Sequence, residues 1–120
     1  LHLVSILQRE GRFVDFLQED ISSYGDADVG AAVRVVHEGC RKVFAQYLGL
    51  EPLRTEGEGA SVTVDKGFDP AAIRLTGNVT GEPPFKGALR HHGWRAGNVT
   101  LPPPPAGHDP RIVSPAEVEL

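Results

Sequence analysis

The chain has no methionine, a single cysteine and no long apolar run. With Cys40 alone, no internal disulfide can form, and a small disulfide-stapled scaffold is excluded. A membrane span needs about 20 consecutive apolar residues, and no stretch approaches that. Positive charge is also scarce: 12 Lys and Arg against 16 Asp and Glu give a net charge of −4. Nucleic-acid binders carry a basic face or stripe, so this balance excludes the usual form of that class. It also excludes a strong electrostatic hold on anionic lipid, and no membrane contact by this domain is expected. Neither CxxC nor HExxH occurs, and no Gly-Lys-Ser/Thr follows a glycine-rich turn. The common signatures of zinc sites, zinc proteases and phosphate loops are therefore missing. A chain without a catalytic constellation is expected to bind rather than catalyse, without a cofactor and in the cytoplasm.

What is present suits one α+β domain over residues 1–120. A chain of 120 residues buries enough surface on folding to need neither metal nor disulfide. It begins at Leu1, inside an apolar pattern, which reads as a domain trimmed from a longer protein. Residues 1–49 are helical by period. Leu3, Val4 and Leu7 recur at helical spacing, and Phe13, Val14, Leu17 and Ile21 continue it past Gly11. A glycine inside a helix costs about 1 kcal/mol, so a kink or a break into two short helices is expected there. Ser22, Ser23, Tyr24 and Gly25 read as a loop, with Asp26 or Asp28 as the next N-cap. A long helix is predicted from Asp28 to Leu48. Its stripe of Val29, Val33, Val36, Cys40, Val43, Phe44 and Tyr47 is set for burial. Glu38 stands four residues from Arg34 and from Lys42, the spacing of surface ion pairs. Gly49 is the natural stop.

Residues 50–120 shift to strand-like alternation. Strands are expected at Pro52–Thr55, around Val62 and Val64, from Ile73 through Leu75 to Val79, at Phe85–His91 and at Trp94–Leu101. The tail from Val113 to Leu120 alternates enough for an edge strand. His92-Gly93 suits a two-residue hairpin loop, which would set His91 opposite Trp94 and Arg90 opposite Arg95. The expected architecture is two or three N-terminal helices packed on a mainly antiparallel sheet or small barrel of five to six short strands, with the long helix laying its stripe on the sheet. Pro102–Pro105 ends the sheet region. Gly77-Asn78-Val79-Thr80 recurs as Gly97-Asn98-Val99-Thr100; both copies read as strand bulges. Both also match an N-glycosylation sequon, which carries no weight without a secretory context.

Three sets of residues bear on function. Arg90, His91, His92, Trp94 and Arg95 cluster around the expected hairpin tip. Arginine supplies forked hydrogen bonds to carboxylate or phosphate, and tryptophan supplies contact area. This is the best candidate binding site, for an acidic or phosphorylated partner. His37 and Cys40 lie three apart on the long helix, and with His91 and His92 they make an alternative set for a metal- or Cys-dependent enzyme. Cys40 fits the apolar stripe, where a thiol is ordinary packing. A third reading is a homo-oligomeric structural module pairing through an edge at Glu117–Leu120. Glu10, Asp15, Glu19 and Asp20 read as a solvated acidic face.

Four segments, "LQREGRFVDFLQEDI", "VGAAVRVVHEGCRKVF", "AIRLTGNVTGEPPFKGALRHHGWR" and "GHDPRIVSPAEVEL", closely resemble the bacterial family called domain of unknown function 2760. The resemblance covers essentially the whole chain and brings no reaction, cofactor or catalytic residue. It marks His37-Glu38-Gly39-Cys40-Arg41 and Gly93-Trp94-Arg95 as family positions. It implies a variable Pro/Ala-rich region ahead of this domain. Because genes of the family often stand beside those for Hsp70-like proteins, it also implies an accessory role with an Hsp70-like chaperone.

Overall fold

A computed structural model describes all residues, 1–120. Three helices come first: α1 (His2–Gly11), α2 (Phe13–Gln18) and α3 (Asp26–Tyr47). Four short strands follow: β1 (Leu50–Pro52), β2 (Ser61–Val64), β3 (Phe85–Ala88) and β4 (Trp94–Ala96). The chain divides into two compact units, one of Leu1–Gly49 with Asn98–Leu120 and the other of Leu50–Gly97. No helix is long and apolar enough to cross a membrane.

In the first unit the break at Gly11 produces two helices, as its glycine suggests. Arg12 turns the chain in the left-handed region, at φ 55°, and its N–H closes α1 on the Gln8 carbonyl. Gln8 is buried, and its side-chain oxygen accepts from the N–H groups of Val14 (2.9 Å) and Asp15 (3.1 Å). These are among the first N–H groups of α2, which have no partner within their own helix. The last turns of α1 thus cap the next helix. Helix α3 begins at Asp26, with Gly25 as a cap that offers no side chain. Asp26 and Asp28 stand in the first turn, where their charge opposes the helix dipole. Gly49 ends it as expected: at φ 53° its N–H, like that of Leu48, reaches back to the Phe44 carbonyl.

The stripe of α3 packs against another helix, not against a sheet. Its core partners are Ile6 and Leu7 of α1, and Ile6 and Val43 are each only 1% exposed. Leu3, Phe13, Cys40, Phe44, Tyr47 and Leu101 close around them. Glycines set how near the helices come. A Cβ on Gly39 would overlap the Glu10 carbonyl oxygen and stand 2.6 Å from the Gly11 Cα. A Cβ on Gly11 would stand 2.8 Å from the Cys40 backbone nitrogen. Two backbones meet here because neither has a side chain to hold them apart. Val29 and Val36 are half-buried and Val33 is exposed, so burial of the stripe concentrates in its C-terminal half.

Residues 98–120 join the helices and contain no strand, unlike the strand-like tail the alternation suggests. The Thr100 N–H donates to the Tyr47 carbonyl at 2.8 Å, Leu101 enters the core, and the His2 ring reaches the Pro102 carbonyl at 2.5 Å. Val118 and Leu120 are exposed.

The second unit is smaller in sheet than expected: two antiparallel two-stranded sheets replace the five or six strands, and no barrel closes. The segment Ile73–Val79 forms no strand. The expected hairpin across His92-Gly93 is absent as well. β3 runs back along β2, with Ser61 opposite Ala88 and Val64 opposite Phe85. β4 runs along β1, setting Pro52 opposite Trp94 and Glu51 opposite Arg95. The observed register places a carboxylate residue across from Arg95, where the hairpin would have placed Arg90; like charges opposite one another are unfavourable. Backbone bonds continue both ladders, from Leu53 N–H to Gly93 carbonyl, Arg54 N–H to His92 carbonyl, and between Leu89 and both Gly59 and Ala60. The two sheets are therefore successive stretches of one antiparallel pair of arms, interrupted where the first arm bulges. Arg54 and Glu56 sit in that bulge and make a close ion pair, with two guanidinium nitrogens on one carboxylate oxygen. The two Gly-Asn-Val-Thr copies are not bulges. Gly77 has φ 79°, Gly97 does not turn left-handed, and Asn78 and Asn98 adopt ordinary negative φ.

Candidate functional site

The residues singled out for binding lie on the second arm, Arg90, His91 and His92 between β3 and β4, and Trp94 and Arg95 in β4 itself. The His91 and His92 rings stack, with centroids 4.8 Å apart and planes 25° apart. His92 then meets Trp94 edge-on, 4.6 Å away at 89°. Backbone contacts hold this ladder of rings. His92 Nδ1 lies 2.7 Å from the Gly93 carbonyl, which can only accept, so that nitrogen carries the proton. His91 Nδ1 accepts the Gly93 N–H at 3.2 Å, so there the proton of the neutral ring sits on Nε2. Gly93 needs its φ of 71° and its lack of a side chain: a Cβ would stand 2.7 Å from a Leu53 methyl. The ladder is thus pinned to the first arm through Gly93.

Trp94 remains 57% exposed. Arg90, Arg95 and His91 are exposed too, and His92 is half-buried. Neither Arg90 nor Arg95 makes an ion pair. An exposed indole can stack on an apolar or planar group, and the free guanidiniums of Arg90 and Arg95, near it along the chain, can each grip a carboxylate or phosphate.

The alternative set is divided. His37 and Cys40 belong to the first unit, His91 and His92 to the second. No group of three or more His, Cys, Asp or Glu side chains is arranged to hold a metal ion. The Cys40 thiol packs over Gly11, and burial pushes its pKa above the ordinary value. A raised pKa lowers the share of thiolate, the form that attacks and ligates. His37 is exposed on α3.

The sequence reading missed a groove in the helical unit. Between α2 and the first half of α3 lies an open hollow of about 510 Å³. Its floor is Phe16, Ile21, Val29, Ala32, Val35 and Val36. Asp15, Glu19 and Asp28 stand on its rim with Arg12. The loop between the helices is well tied. Asp20 accepts both the hydroxyl and the N–H of Ser22, which holds its carboxyl below the usual range. The Tyr24 hydroxyl donates to Glu19 at 2.5 Å, and that carboxylate raises the phenol pKa. The acidic run does face solvent, but Asp15 and Glu19 edge an apolar floor. The available signal was Phe16, Leu17 and Ile21 within the acidic run, more apolar surface than a two-turn helix can bury.

No curated protein and no solved structure matches the chain. One family model does, that of a domain of unknown function, over residues 1–119, and the chain accordingly belongs to the DUF2760 family.

Proposed function

We propose that this protein is a non-catalytic protein-interaction module, acting in the cytoplasm, that grips an acidic or phosphorylated segment of its partner at Arg90, His91, His92, Trp94 and Arg95. The observation that carries the reading is the ring ladder: an indole left more than half exposed in perpendicular contact with His92, flanked in sequence by two arginines without ion-pair partners. Exposed tryptophan and arginine are the side chains most enriched at binding hot spots. Ordering the ladder before binding lowers the entropy lost on association. The partner implied by the family resemblance is an Hsp70-like chaperone, for which the domain would serve as an accessory.

Trp94 is the only tryptophan in the chain, so its fluorescence reports directly on this surface. Titration with a purified Hsp70-like chaperone, and separately with acidic and phosphoserine peptides, should shift the emission and saturate. The Arg90→Ala/Arg95→Ala variant keeps the indole and should bind at least tenfold more weakly. Trp94→Ala/Arg95→Ala should lose the chaperone in affinity capture while keeping the wild-type circular dichroism. Equal capture by wild type and the double variant would remove this surface from the reading.

A further inference from the structure

We propose that the α2–α3 groove is a second, independent docking site, and that its occupant is an amphipathic helix carrying Lys or Arg beside its apolar anchors. The groove shares no residue with the ring ladder and lies in the other unit. Its floor is apolar yet left open by the fold: Val35 is 65% exposed, and Ile21 is exposed beside it. The rim decides what covers that floor. Three carboxylates face one guanidinium there, and the guanidinium of Arg12 is already paired with Asp15 at 2.8 Å. Asp28 makes no ion pair and Glu19 engages only the Tyr24 hydroxyl. Apolar anchors flanked by cations satisfy both floor and rim, and an acidic segment would be repelled.

The shape fits a helix. From Asp28 to Gln46, α3 lines first this groove and then a smaller hollow of about 350 Å³, the two sharing Val35. Glu10 and Glu38 stand along the second hollow, with Lys42 the only cation in its lining. The lining residues of α3 recur at steps of three and four, which is how a helix presents a seam to another helix; Gly39 and Val43 are already closed against α1, and the others remain to be covered. That track is about 27 Å long at the rise of an α-helix. A second copy of this chain is a poor occupant. In a two-fold contact each acidic rim would face the other, on a chain whose net charge is −4.

The test uses the full chain and two labelled 18-residue helical peptides, one of Leu and Lys, the other of Leu and Glu. Both carry Leu at helical heptad spacing. Fluorescence anisotropy should show the Leu/Lys peptide binding at least tenfold more tightly than the Leu/Glu peptide. Val35→Asp separates docking from plain charge attraction. It adds an acid, so a merely electrostatic contact would tighten, whereas loss of the apolar anchor should weaken binding at least tenfold. Ala32→Arg, filling the floor, should weaken it likewise; Glu117→Gln, with the same change in net charge, should leave the affinity within twofold of wild type. Unchanged or tighter binding by Val35→Asp would overturn the proposal. So would sedimentation showing a wild-type dimer that Val35→Asp dissolves, since the occupant would then be a second copy.

Discussion

The approach of α1 to α3 makes opposite demands on two glycines of one helix, and a pair of identical substitutions measures it. Gly39→Ala and Gly30→Ala each replace a glycine inside α3. Each gains about 1 kcal/mol of helix propensity. Around Gly30 nothing lies within 4 Å of an added Cβ, so that variant should simply become more stable. At Gly39 the same methyl would sit 2.6 Å from the Gly11 Cα and overlap the Glu10 carbonyl oxygen. Carbon atoms in contact stand about 3.5–4.0 Å apart, so the helices must separate by roughly 1 Å. That separation loosens Ile6, Leu7 and Val43 together, and overpacking of this kind costs about 1–3 kcal/mol. The propensity gain is common to both variants, so the difference between them isolates the steric cost. Urea unfolding followed by helical circular dichroism should place the midpoint of Gly39→Ala about 1 M below that of Gly30→Ala, given urea slopes of about 1–3 kcal/mol/M. Coincident midpoints would refute the close approach, and with it the assignment of the core to the α1–α3 crossing.

Val43→Ala removes part of a fully buried side chain and should cost about 1–3 kcal/mol in the same assay, against well under 1 kcal/mol for Val33→Ala on the exposed part of the stripe. Gln8→Leu keeps the bulk but strands the Val14 and Asp15 N–H groups; it should cost about 1 kcal/mol, and their amide protons should exchange faster. For Cys40, burial favours the neutral thiol, so its folded pKa lies above the unfolded one. The stabilisation this gives is complete below the unfolded value and fades as pH rises through the folded value. Native-state labelling by a disulfide reagent near pH 8 should therefore lag that of the urea-unfolded chain, and equal rates would show an open thiol.

The helical half of the fold was legible because its signals are local. Gly11 announced a break, Gly49 a stop, and the Val43–Tyr47 end of the stripe a buried face. The partner of that face was not legible, since a 3.6-residue period declares that a side is apolar and not whether a helix or a sheet will cover it. Gly11 read only as a break in a helix, although together with Gly39 it is what lets the helices touch. The strand pairing failed for a different reason. His92-Gly93 has the right local chemistry for a tight turn, but Arg95 opposite Glu51 and Leu53 against Gly93 are long-range relations that no short window contains. The residues at 90–95 were singled out by composition, and the contacts of His91, His92 and Trp94 follow from adjacency along one arm. The α2–α3 groove was hidden because it needs a loop, a short helix and part of a long one at once.

The antiparallel arms of the second unit also bear on the first. Leu50 stands opposite Ala96, so the chain leaves the helical unit and returns to it at neighbouring points. Everything between is, in connectivity, a detour. The strap that lays Leu101 into the core would otherwise pay the entropy of closing a long loop, a cost that grows with the logarithm of its length. Once β1 and β4 have paired, most of that closure has already occurred, and the strap docks as if joined to Gly49 by a short tether. The outermost ladder is thus a clasp, and its strength sets how firmly the two ends of the sequence are held in one body.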